Sequence, residues 1–519
     1  MRRTIFIAML GLGLSLPLAA PGGSLRDEVT RQAQDNFPEF LQLLAIPNVA
    51  SEPADIQRNA AFLEQAFRKR GFTTRQLDNP ARRPAVFAEL PTSAPGATTV
   101  LFYIHFDGQP VIPAEWQQPN PFGPVVRKRD AAGQWQTLSA DALRTRPLDH
   151  ELRVFARSAS DDKAPIAMLL TAIDLMKARR ASAPIHIKVL LDPEEEISSP
   201  SLAGMIAANR ALFDAAAIVI LDGPVHESGR PTLVFGNRGI TQATLTVFGP
   251  RAPLHSGHFG NYAPNPAMRL AQLLATMKDD EGRVLIPGYY DGVTLTDADR
   301  AALASVSDDE AALRKRIGIA RAEQVAAGYG ASLQYPSLNI RGMASAAVGE
   351  KAANIVPSEA VAELDLRTTP ETDGRRLFGL IRRHVEQRGY HLVERAPTDE
   401  ERARYDKLAM LTLGSVEGAA RMPMDAPVGQ WAMQALKSAT APAPTTEPVR
   451  IRMSGGTVPT DVLVEALHLP FVLVPSVNGD NNQHARDENL RIGNFVTGTE
   501  TIYSLFMTPW PEPAARPRS

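Results

Sequence analysis

An acidic turn directly after a buried strand constrains this chain more than any other stretch. Residues 190–199 read LLDPEEEISS, and they follow an apolar run at residues 185–191. Consecutive carboxylates at the end of a buried strand repel one another, and a bound cation is the simplest way to relieve that repulsion. A solvated acidic turn is the alternative that this stretch alone leaves open. The choice depends on whether other ligands come from elsewhere in the chain.

Other short apolar runs also end in residues that bind metals. These runs are 100–104 before His105 and Asp107, 217–221 before Asp222, and 471–475 before His484. In an open parallel α/β sheet, ligands bind in the crevice beyond the carboxyl ends of the strands. The chain has no cysteine, so zinc would have to be held by histidine nitrogen and carboxylate oxygen. The pattern predicts an α/β sheet with a zinc site at one edge.

The acidic turn also indicates hydrolysis. Among Glu194, Glu195 and Glu196, one side chain can bind a metal while its neighbour stays free as a base. Zinc lowers the pKa of a bound water to about 7, and a nearby carboxylate can accept the proton. Asp107 follows His105 closely on the same turn, in a position to hold the second imidazole nitrogen.

A change of pattern near residue 235 predicts a second domain inserted in the first. Residues 239–248 alternate apolar and polar side chains, as a strand with one face in water does. The last apolar run of the metal edge comes only after this region. We predict an α/β catalytic domain with a mainly parallel central sheet, interrupted by a two-layer α+β domain. The expected bounds are 24–234 and 396–510 for the catalytic domain and 235–395 for the insertion.

Two loops carry further candidate residues. His255 lies in a Ser- and Gly-rich segment, where an exposed loop histidine without a chemical role is the alternative. Ser454, Gly455 and Gly456 precede a predicted helix, so free backbone N–H groups are offered there to an anion.

The beginning of the chain has the pattern of an export signal. Arg2 and Arg3 precede an apolar run at residues 5–20, and small residues follow it. We expect residues 1–20 to be a signal peptide and the mature protein to be periplasmic or secreted, with no membrane attachment after cleavage. An uncleaved membrane anchor is the alternative. We also expect a disordered tail at 511–519, which is rich in Pro and Arg.

Charge excludes one class of partner. The formal net charge is −2 over 519 residues, so there is no basic excess to neutralise phosphates, and a nucleic-acid partner is not expected.

Several segments, taken in order, resemble the M20 zinc peptidases, especially the carnosinase-like dipeptidase branch. They are HFDGQP at 105–110, Trp116 with NPF at 120–122, SDDK at 160–163, EEEISS at 194–199, LHSGHFG at 254–260, SGGTVP at 454–459 and HARDENL at 484–490. The resemblance covers nearly all of the chain after the signal-like segment.

The resemblance implies two zinc ions per subunit, about 3.5–4 Å apart, with Mn²⁺ or Co²⁺ as substitutes. Asp161 would bridge the two ions. The remaining implied ligands are His105 and Asp222 at one ion, and Glu196 and His484 at the other. Glu195 would be the general base that acts on a metal-bridging water, and Asp107 would orient His105. The bond that matches Asp161–Asp162 is often cis in the family.

The same resemblance implies that the insertion is a lid and dimerisation domain. The histidine that matches His255 reaches the active site of the partner subunit in a homodimer, where it stabilises the oxyanion. Asn354 and Arg367 match positions that hold the carboxylate of a small peptide substrate. Ser454, Gly455 and Gly456 would lie beside them.

The chain departs from the family pattern in several loops. Residues 156–160 read ARSAS where a GRG-type run is usual, Ala164 stands where glycine is usual, and Gly108 stands where valine is usual. These changes put substrate preference in question more than metal binding. The resulting hypothesis is an exported di-zinc peptidase for dipeptides or short peptides. The alternatives are an N-acyl amino acid amidohydrolase with the same site and a catalytically silent dimeric binding protein.

Overall fold

Two large β-sheets organise residues 24–306, 308–440 and 447–511, which are the residues that this computed structural model describes. The predicted signal peptide and residues 512–519 of the predicted tail lie outside the described residues. Within the described residues, no helix has the length and apolar character needed to cross a membrane.

The first part of the chain alternates helices and strands. Its α-helices are α1 Leu25–Leu44, α2 Pro53–Arg68, α3 Lys163–Ala178 and α4 Leu202–Ala208. Its strands are β1 Thr73–Leu77, β2 Ala85–Leu90, β3 Thr99–His105, β4 Val125–Arg129, β5 Trp135–Leu138, β6 Arg153–Phe155, β7 His186–Asp192, β8 Ala217–Ile220 and β9 Thr232–Val234. Short 3₁₀ turns include Pro113–Glu115, Ala140–Arg144, Glu195–Ile197 and Arg210–Phe213.

The middle of the chain is richer in antiparallel strands. Its strands are β10 Gly236–Asn237, β11 Gly239–Phe248, β12 Leu254–His255, β13 Ser337–Ala344, β14 Ile355–Val356, β15 Glu359–Thr368, β16 His391–Leu392, β17 Leu408–Glu417 and β18 Ala420–Arg421. Its α-helices are α5 Ser256–Phe259, α6 Pro266–Ala275, α7 Asp297–Ala304, α8 Glu310–Ile317, α9 Tyr329–Ser332, α10 Gly374–Gln387 and α11 Asp399–Arg404.

The last part of the chain returns to the first sheet. It contains helices α12 Pro427–Thr440, α13 Thr460–Leu467 and α14 Ile492–Met507, and strands β19 Val449–Ile451, β20 Phe471–Leu473 and β21 Asn489–Arg491.

The catalytic sheet has eight strands in the order β1-β2-β7-β3-β8-β20-β9-β19. The central strands β7, β3, β8 and β20 are parallel to one another, so their carboxyl ends lie at one edge. These are the strands that the sequence predicts for the metal edge. The fold class, an α/β domain with a mainly parallel core, is therefore confirmed.

Strand β3 shows why this sheet needs helices on both faces. Val100, Phe102 and Ile104 pack into a core with α1, α3, α12 and α14, whereas Leu101 and Tyr103 pack with α4 and α13 on the other face. Successive side chains of a strand point to opposite faces of the sheet, so a continuous apolar run must be buried on both faces. Each fully buried aliphatic or aromatic side chain contributes about 1.5–3 kcal/mol.

The second sheet is antiparallel except at one edge and has the order β13-β15-β11-β17-β16. Helices α6 and α10 cover one face, and the core between the layers includes Leu245, Leu270, Leu364 and Leu377. This is the two-layer inserted domain that the sequence predicts.

The predicted end of the insertion at residue 395 is too early. Strand β17 pairs with β11 from Phe248 opposite Leu408 to Ile240 opposite Glu417, so the second sheet continues to Glu417. No strand was predicted for residues 408–417, and only the long-range pairing shows that this segment belongs to the second sheet. Strands β10 and β18 then pair at the junction between the two domains.

Candidate metal centre

The candidate centre lies beyond the carboxyl ends of the central parallel strands. His105 is the last residue of β3, and the 3₁₀ turn that holds Glu195 and Glu196 follows β7. Asp222 comes shortly after β8, and Asp161 lies just before α3. The sheet therefore brings together residues that are far apart in sequence.

Two groups of potential metal ligands adjoin one another, and Asp161 belongs to both. The first group is His105, Asp161, Asp162 and Asp222, and the second is Asp161, Glu196 and His484. In each group the ligand atoms lie within 4.8 Å of one another. The structure thus brings together all five predicted ligands, and it adds Asp162.

Asp161 joins the two groups through its two carboxylate oxygens. Its Oδ1 lies 2.9 Å from Nε2 of His105, and its Oδ2 lies 3.0 Å from Nε2 of His484. The same His484 nitrogen lies 3.2 Å from Oε2 of Glu196. The Asp161–Asp162 bond is cis, as the resemblance implies.

The charges of the cluster fit bound cations. Burial raises the pKa of Asp222 to about 7, and the negative charge of Asp161 acts in the same direction. Both carboxylate oxygens of Asp162 are buried without a hydrogen-bond partner among the described residues. Buried carboxylates without enough positive charge are costly, and divalent cations would supply the missing charge. The nitrogen and oxygen donors are of the types that zinc accepts.

The histidines respond to the same excess of negative charge. Hydrogen bonds with Asp161 and Glu196 raise the pKa of His484 to about 11. Burial acts to lower the pKa of His105, but the neighbouring carboxylates, led by Glu195, raise it well above its usual value. In the protein alone, these imidazoles take the place of cations as partners of the carboxylates. Metal binding requires them to be neutral, so it displaces protons.

Asp107 contacts both His105 and the acidic turn. Its Oδ1 lies 3.4 Å from Nδ1 of His105, although this nitrogen has no well-aligned hydrogen bond within the described part of the chain. Its two oxygens accept hydrogen bonds from the backbone N–H groups of Glu195 and Glu196, each at 3.0 Å. Asp107 therefore fixes the turn that carries these two glutamates.

Glu195 faces the cluster without belonging to either ligand group. Its Oε2 lies 4.0 Å from Nε2 of His105, and only 13% of its side chain is exposed. Burial raises its pKa well above the usual value, although the positive charge of His105 opposes this. A buried carboxylate beside the ligand groups, but outside them, is placed for proton transfer.

The structure brings together only some of the predicted substrate-binding residues. Arg367 donates a hydrogen bond from Nη1 to Oγ1 of Thr457 at 2.9 Å, beside the turn formed by Ser454, Gly455 and Gly456. Asn354 and His255 lie together in the inserted domain, where the backbone N–H of Ser256 donates to the carbonyl of Asn354 at 2.9 Å.

His255 does not join the candidate centre within this subunit. Its side chain is exposed, and its ring packs on His258 with a centroid distance of 4.7 Å. Its Nδ1 accepts a hydrogen bond from the backbone N–H of Gly257 at 3.0 Å. Within the described part of the chain, no contact links it to the metal ligands.

Glu488 organises the loop before α3, a role that the sequence did not predict. This carboxylate is fully buried, and Oε1 accepts hydrogen bonds from the backbone N–H groups of Ser160 and Asp161, each at 2.9 Å. Its Oε2 accepts from the backbone N–H of Ser158 at 2.9 Å and from Arg157 at 2.8 Å. Glu488 lies in the HARDENL segment at 484–490, but that segment does not show these hydrogen-bond partners.

Two glutamines also contact the ligands, and the sequence analysis assigned them no role. Nε2 of Gln109 donates to Oε2 of Glu196 at 2.7 Å, and Nε2 of Gln483 donates to Oδ2 of Asp161 at 3.3 Å. Both follow or precede a predicted histidine ligand closely in sequence.

We expect Glu488→Gln to weaken metal binding about 10–100-fold, the usual effect of losing a group that orients metal ligands. The amide replaces an acceptor oxygen with an N–H₂ group that faces backbone donors, so the loop that carries Asp161 loses its anchor. Competition with a chromogenic chelator measures the zinc affinity. Glu151→Gln, at an exposed ion pair, is the matched control. Unchanged affinity in a folded Glu488→Gln protein would contradict this role.

The fold and the centre together define a metal hydrolase built on a mainly parallel α/β sheet. The model of peptidase family M20/M25/M40 matches residues 101–508, most of the chain, and the chain belongs to this family. It is a metal-dependent peptide hydrolase.

Relatives of known activity agree with this assignment. The chain is 25% identical to a Cys-Gly metallodipeptidase of Schizosaccharomyces pombe over 95% of this chain and 93% of the relative. It is 25% identical to the human Beta-Ala-His dipeptidase over 82% of this chain and 77% of the relative. An M20 family metallo-carboxypeptidase from Sulfolobus solfataricus has a TM-score of 0.72 and 26% identity, and the match covers 91% of this chain and 99% of that one.

The comparisons correct the prediction of export. Fungal Cys-Gly metallodipeptidases, which match 92–95% of this chain, are cytosolic. The prediction of a periplasmic or secreted protein rested on the composition of the first 23 residues, which lie outside the described residues. An apolar run after two arginines is a weak signal by itself, and the prediction is wrong by this comparison.

Proposed function

We propose that the protein is a dipeptidase that uses two zinc ions and Glu195 as its general base. The observation that carries this proposal is the position of Glu195, whose Oε2 lies 4.0 Å from Nε2 of His105 while Glu195 belongs to neither ligand group. Relatives named as Cys-Gly and Beta-Ala-His dipeptidases support a dipeptide as substrate.

The metal ligands follow from the two groups. His105 and Asp222 would hold one ion, Glu196 and His484 would hold the other, and Asp161 would bridge them. Bound there, divalent cations supply Lewis-acid stabilisation of negative charge and lower the pKa of water. The donor types suit zinc, and Mn²⁺ or Co²⁺ can take its place.

Glu195 performs the proton transfers. Its carboxylate takes a proton from the attacking water as the scissile carbonyl becomes tetrahedral, and it returns a proton to the leaving amine nitrogen. Asp107 accepts hydrogen bonds from the backbone N–H groups of Glu195 and Glu196. These bonds fix the position of the base, Glu195, relative to the metal ligand, Glu196. Arg367 and the turn of Ser454, Gly455 and Gly456 bind the free carboxylate of the peptide, a suitable task for a guanidinium beside backbone N–H groups. Asn354 assists from the inserted domain.

A homodimer through the inserted domain would complete the site. His255 of a second copy would stabilise the oxyanion, since within its own subunit this residue lies apart from the centre. Strand β13 is the edge of the inserted sheet and exposes large apolar side chains, with Ile340 44% and Met343 52% exposed. An exposed apolar sheet edge is a natural surface for pairing with a second copy.

Hydrolysis of matched substrates tests the proposal. The zinc-loaded protein is given dipeptides with a free amine and the corresponding N-acetyl amino acids, and released amino acids are measured. We expect cleavage of the dipeptides at rates that fall when the metal is removed. Cleavage of the acetyl compounds alone would instead indicate a deacylase, and no cleavage of either would indicate a silent binding protein.

A further inference from the structure

The inserted domain contains a cavity of about 520 Å³ beside the proposed substrate turn. Helix α8, the segment around α9 and strand β13 contribute to its walls, together with Arg238 from the junction between the domains. Aromatic and aliphatic side chains such as Tyr329 and Leu333 form part of the lining. The volume is large enough for any amino-acid side chain.

Arg238 differs from the other cations that line this cavity. Lys278, Arg314 and Arg321 each form an ion pair with a glutamate at 2.6–3.4 Å. Arg238 is only 7% exposed and has no ion-pair partner among the described residues. Its Nη2 donates to the carbonyl of Tyr335 at 3.0 Å, and its Nε has no hydrogen-bond partner in the described part of the chain.

A buried guanidinium without a carboxylate is costly, and a bound anion would remove the cost. Burial and the nearby positive charge of Arg367 lower the pKa of Arg238 to about 10, so the side chain remains charged at neutral pH. Arg367 forms an ion pair with Asp365 at 3.4 Å, and the negative charge of Asp365 partly opposes the lowering of the Arg238 pKa, but Arg238 itself has no ion-pair partner among the described residues. A negative group on a ligand would supply the partner that Arg238 lacks.

Backbone contacts connect Arg238 with the proposed substrate turn. Its N–H donates to the carbonyl of Ser454 at 3.2 Å, and its carbonyl accepts from Oγ1 of Thr457 at 2.8 Å. Thr457 also accepts the hydrogen bond from Arg367. On the cavity side, Leu333 lies 3.4 Å from the place that a Cβ on Gly455 would take. Arg238 lines the cavity and Arg367 does not.

We propose that the cavity receives the side chain of the C-terminal residue of the substrate and that Arg238 binds a carboxylate on that side chain. This inference rests on the proposed function, in which Arg367 and the turn hold the main-chain carboxylate. The substrate class is then dipeptides that end in glutamate or aspartate. A site built around an unpaired guanidinium discriminates against a neutral isostere, because the charge stays unpaired when the isostere binds.

The test compares Ala-Glu with Ala-Gln, which differ at one side-chain group. We expect the wild-type kcat/KM to favour Ala-Glu by about tenfold or more, the usual range for a charge-assisted hydrogen bond. In Arg238→Met the ratio should fall close to one. Arg316→Met removes a paired arginine of helix α8 that does not line the cavity, and its ratio should match that of the wild type. A wild-type ratio near one, or an unchanged ratio in Arg238→Met, would overturn the inference.

Binding separates this inference from the proposed function. Calorimetry with zinc-loaded Glu195→Gln measures the affinity for both peptides without turnover, and tighter binding of Ala-Glu is expected. If Ala-Glu binds more tightly than Ala-Gln but the wild type hydrolyses neither peptide, the dipeptidase proposal is refuted and the pocket for an acidic side chain is still supported. Equal binding, together with equal hydrolysis, would refute the pocket alone. If Arg238→Met does not fold, the wild-type preference for Ala-Glu over Ala-Gln still tests whether the pocket binds an acidic side chain.

Discussion

The Glu195→Gln variant is expected to hydrolyse dipeptides about 10²–10⁴ times more slowly than the wild type while keeping its metal ions. Glutamine preserves the size of the side chain and removes the group that accepts the proton. Because Glu195 belongs to neither ligand group, metal affinity should change little. Steady-state rates with a free-amine dipeptide, together with zinc content from atomic emission, provide the measurement.

Glu196→Gln is the contrasting variant, since Glu196 itself belongs to the second ligand group. It should lose zinc as well as activity. If Glu195→Gln retained near-normal turnover with metal bound, the general-base assignment would be wrong. If it lost zinc as readily as Glu196→Gln, Glu195 would be a ligand instead of a base.

Asp161→Asn is expected to have the largest effect on metal content, because this residue belongs to both ligand groups. Its oxygens contact His105 and His484 at 2.9 and 3.0 Å, and the asparagine side chain would lack the negative charge that two cations share. We expect less than one zinc per chain after gel filtration and no measurable dipeptide hydrolysis. Metal analysis and the dipeptide assay on the same sample provide the measurement.

Asp162→Asn is a matched control one position away. Asp162 belongs to the first group only, so the second group should still bind zinc in that variant. Equal zinc loss in the two variants would mean that Asp161 does not link the groups. Full zinc content in Asp161→Asn would refute the bridging role.

The strand ends were the most predictable part of this molecule. Short apolar runs that end in His105, Asp107, Asp222 and the acidic turn predict both the sheet and its edge, because parallel strands that are buried on both faces have no polar positions before they end. The five implied ligands also meet in the structure. Here local pattern and long-range arrangement agree.

Residues whose roles depend on distant partners were not predictable. Glu488 contacts the loop before α3 across more than 300 positions of sequence, and Arg238 is notable because it is buried without an ion-pair partner among the described residues. The position of β17 in the second sheet likewise follows from pairing with β11. Sequence periodicity indicates which face of a segment is buried. It carries little information about which other segment packs or pairs with that face.

Dipeptide hydrolysis by the wild-type protein is expected to depend on a metal centre formed by the two ligand groups. The most direct measurement is the rate of Ala-Gln or Ala-Glu hydrolysis by protein that has been freed of metal with a chelator and then titrated with zinc. We expect no activity without metal and a rate that rises until about two zinc ions are bound per chain. Full activity in the metal-free protein, or a plateau at one ion, would contradict this expectation.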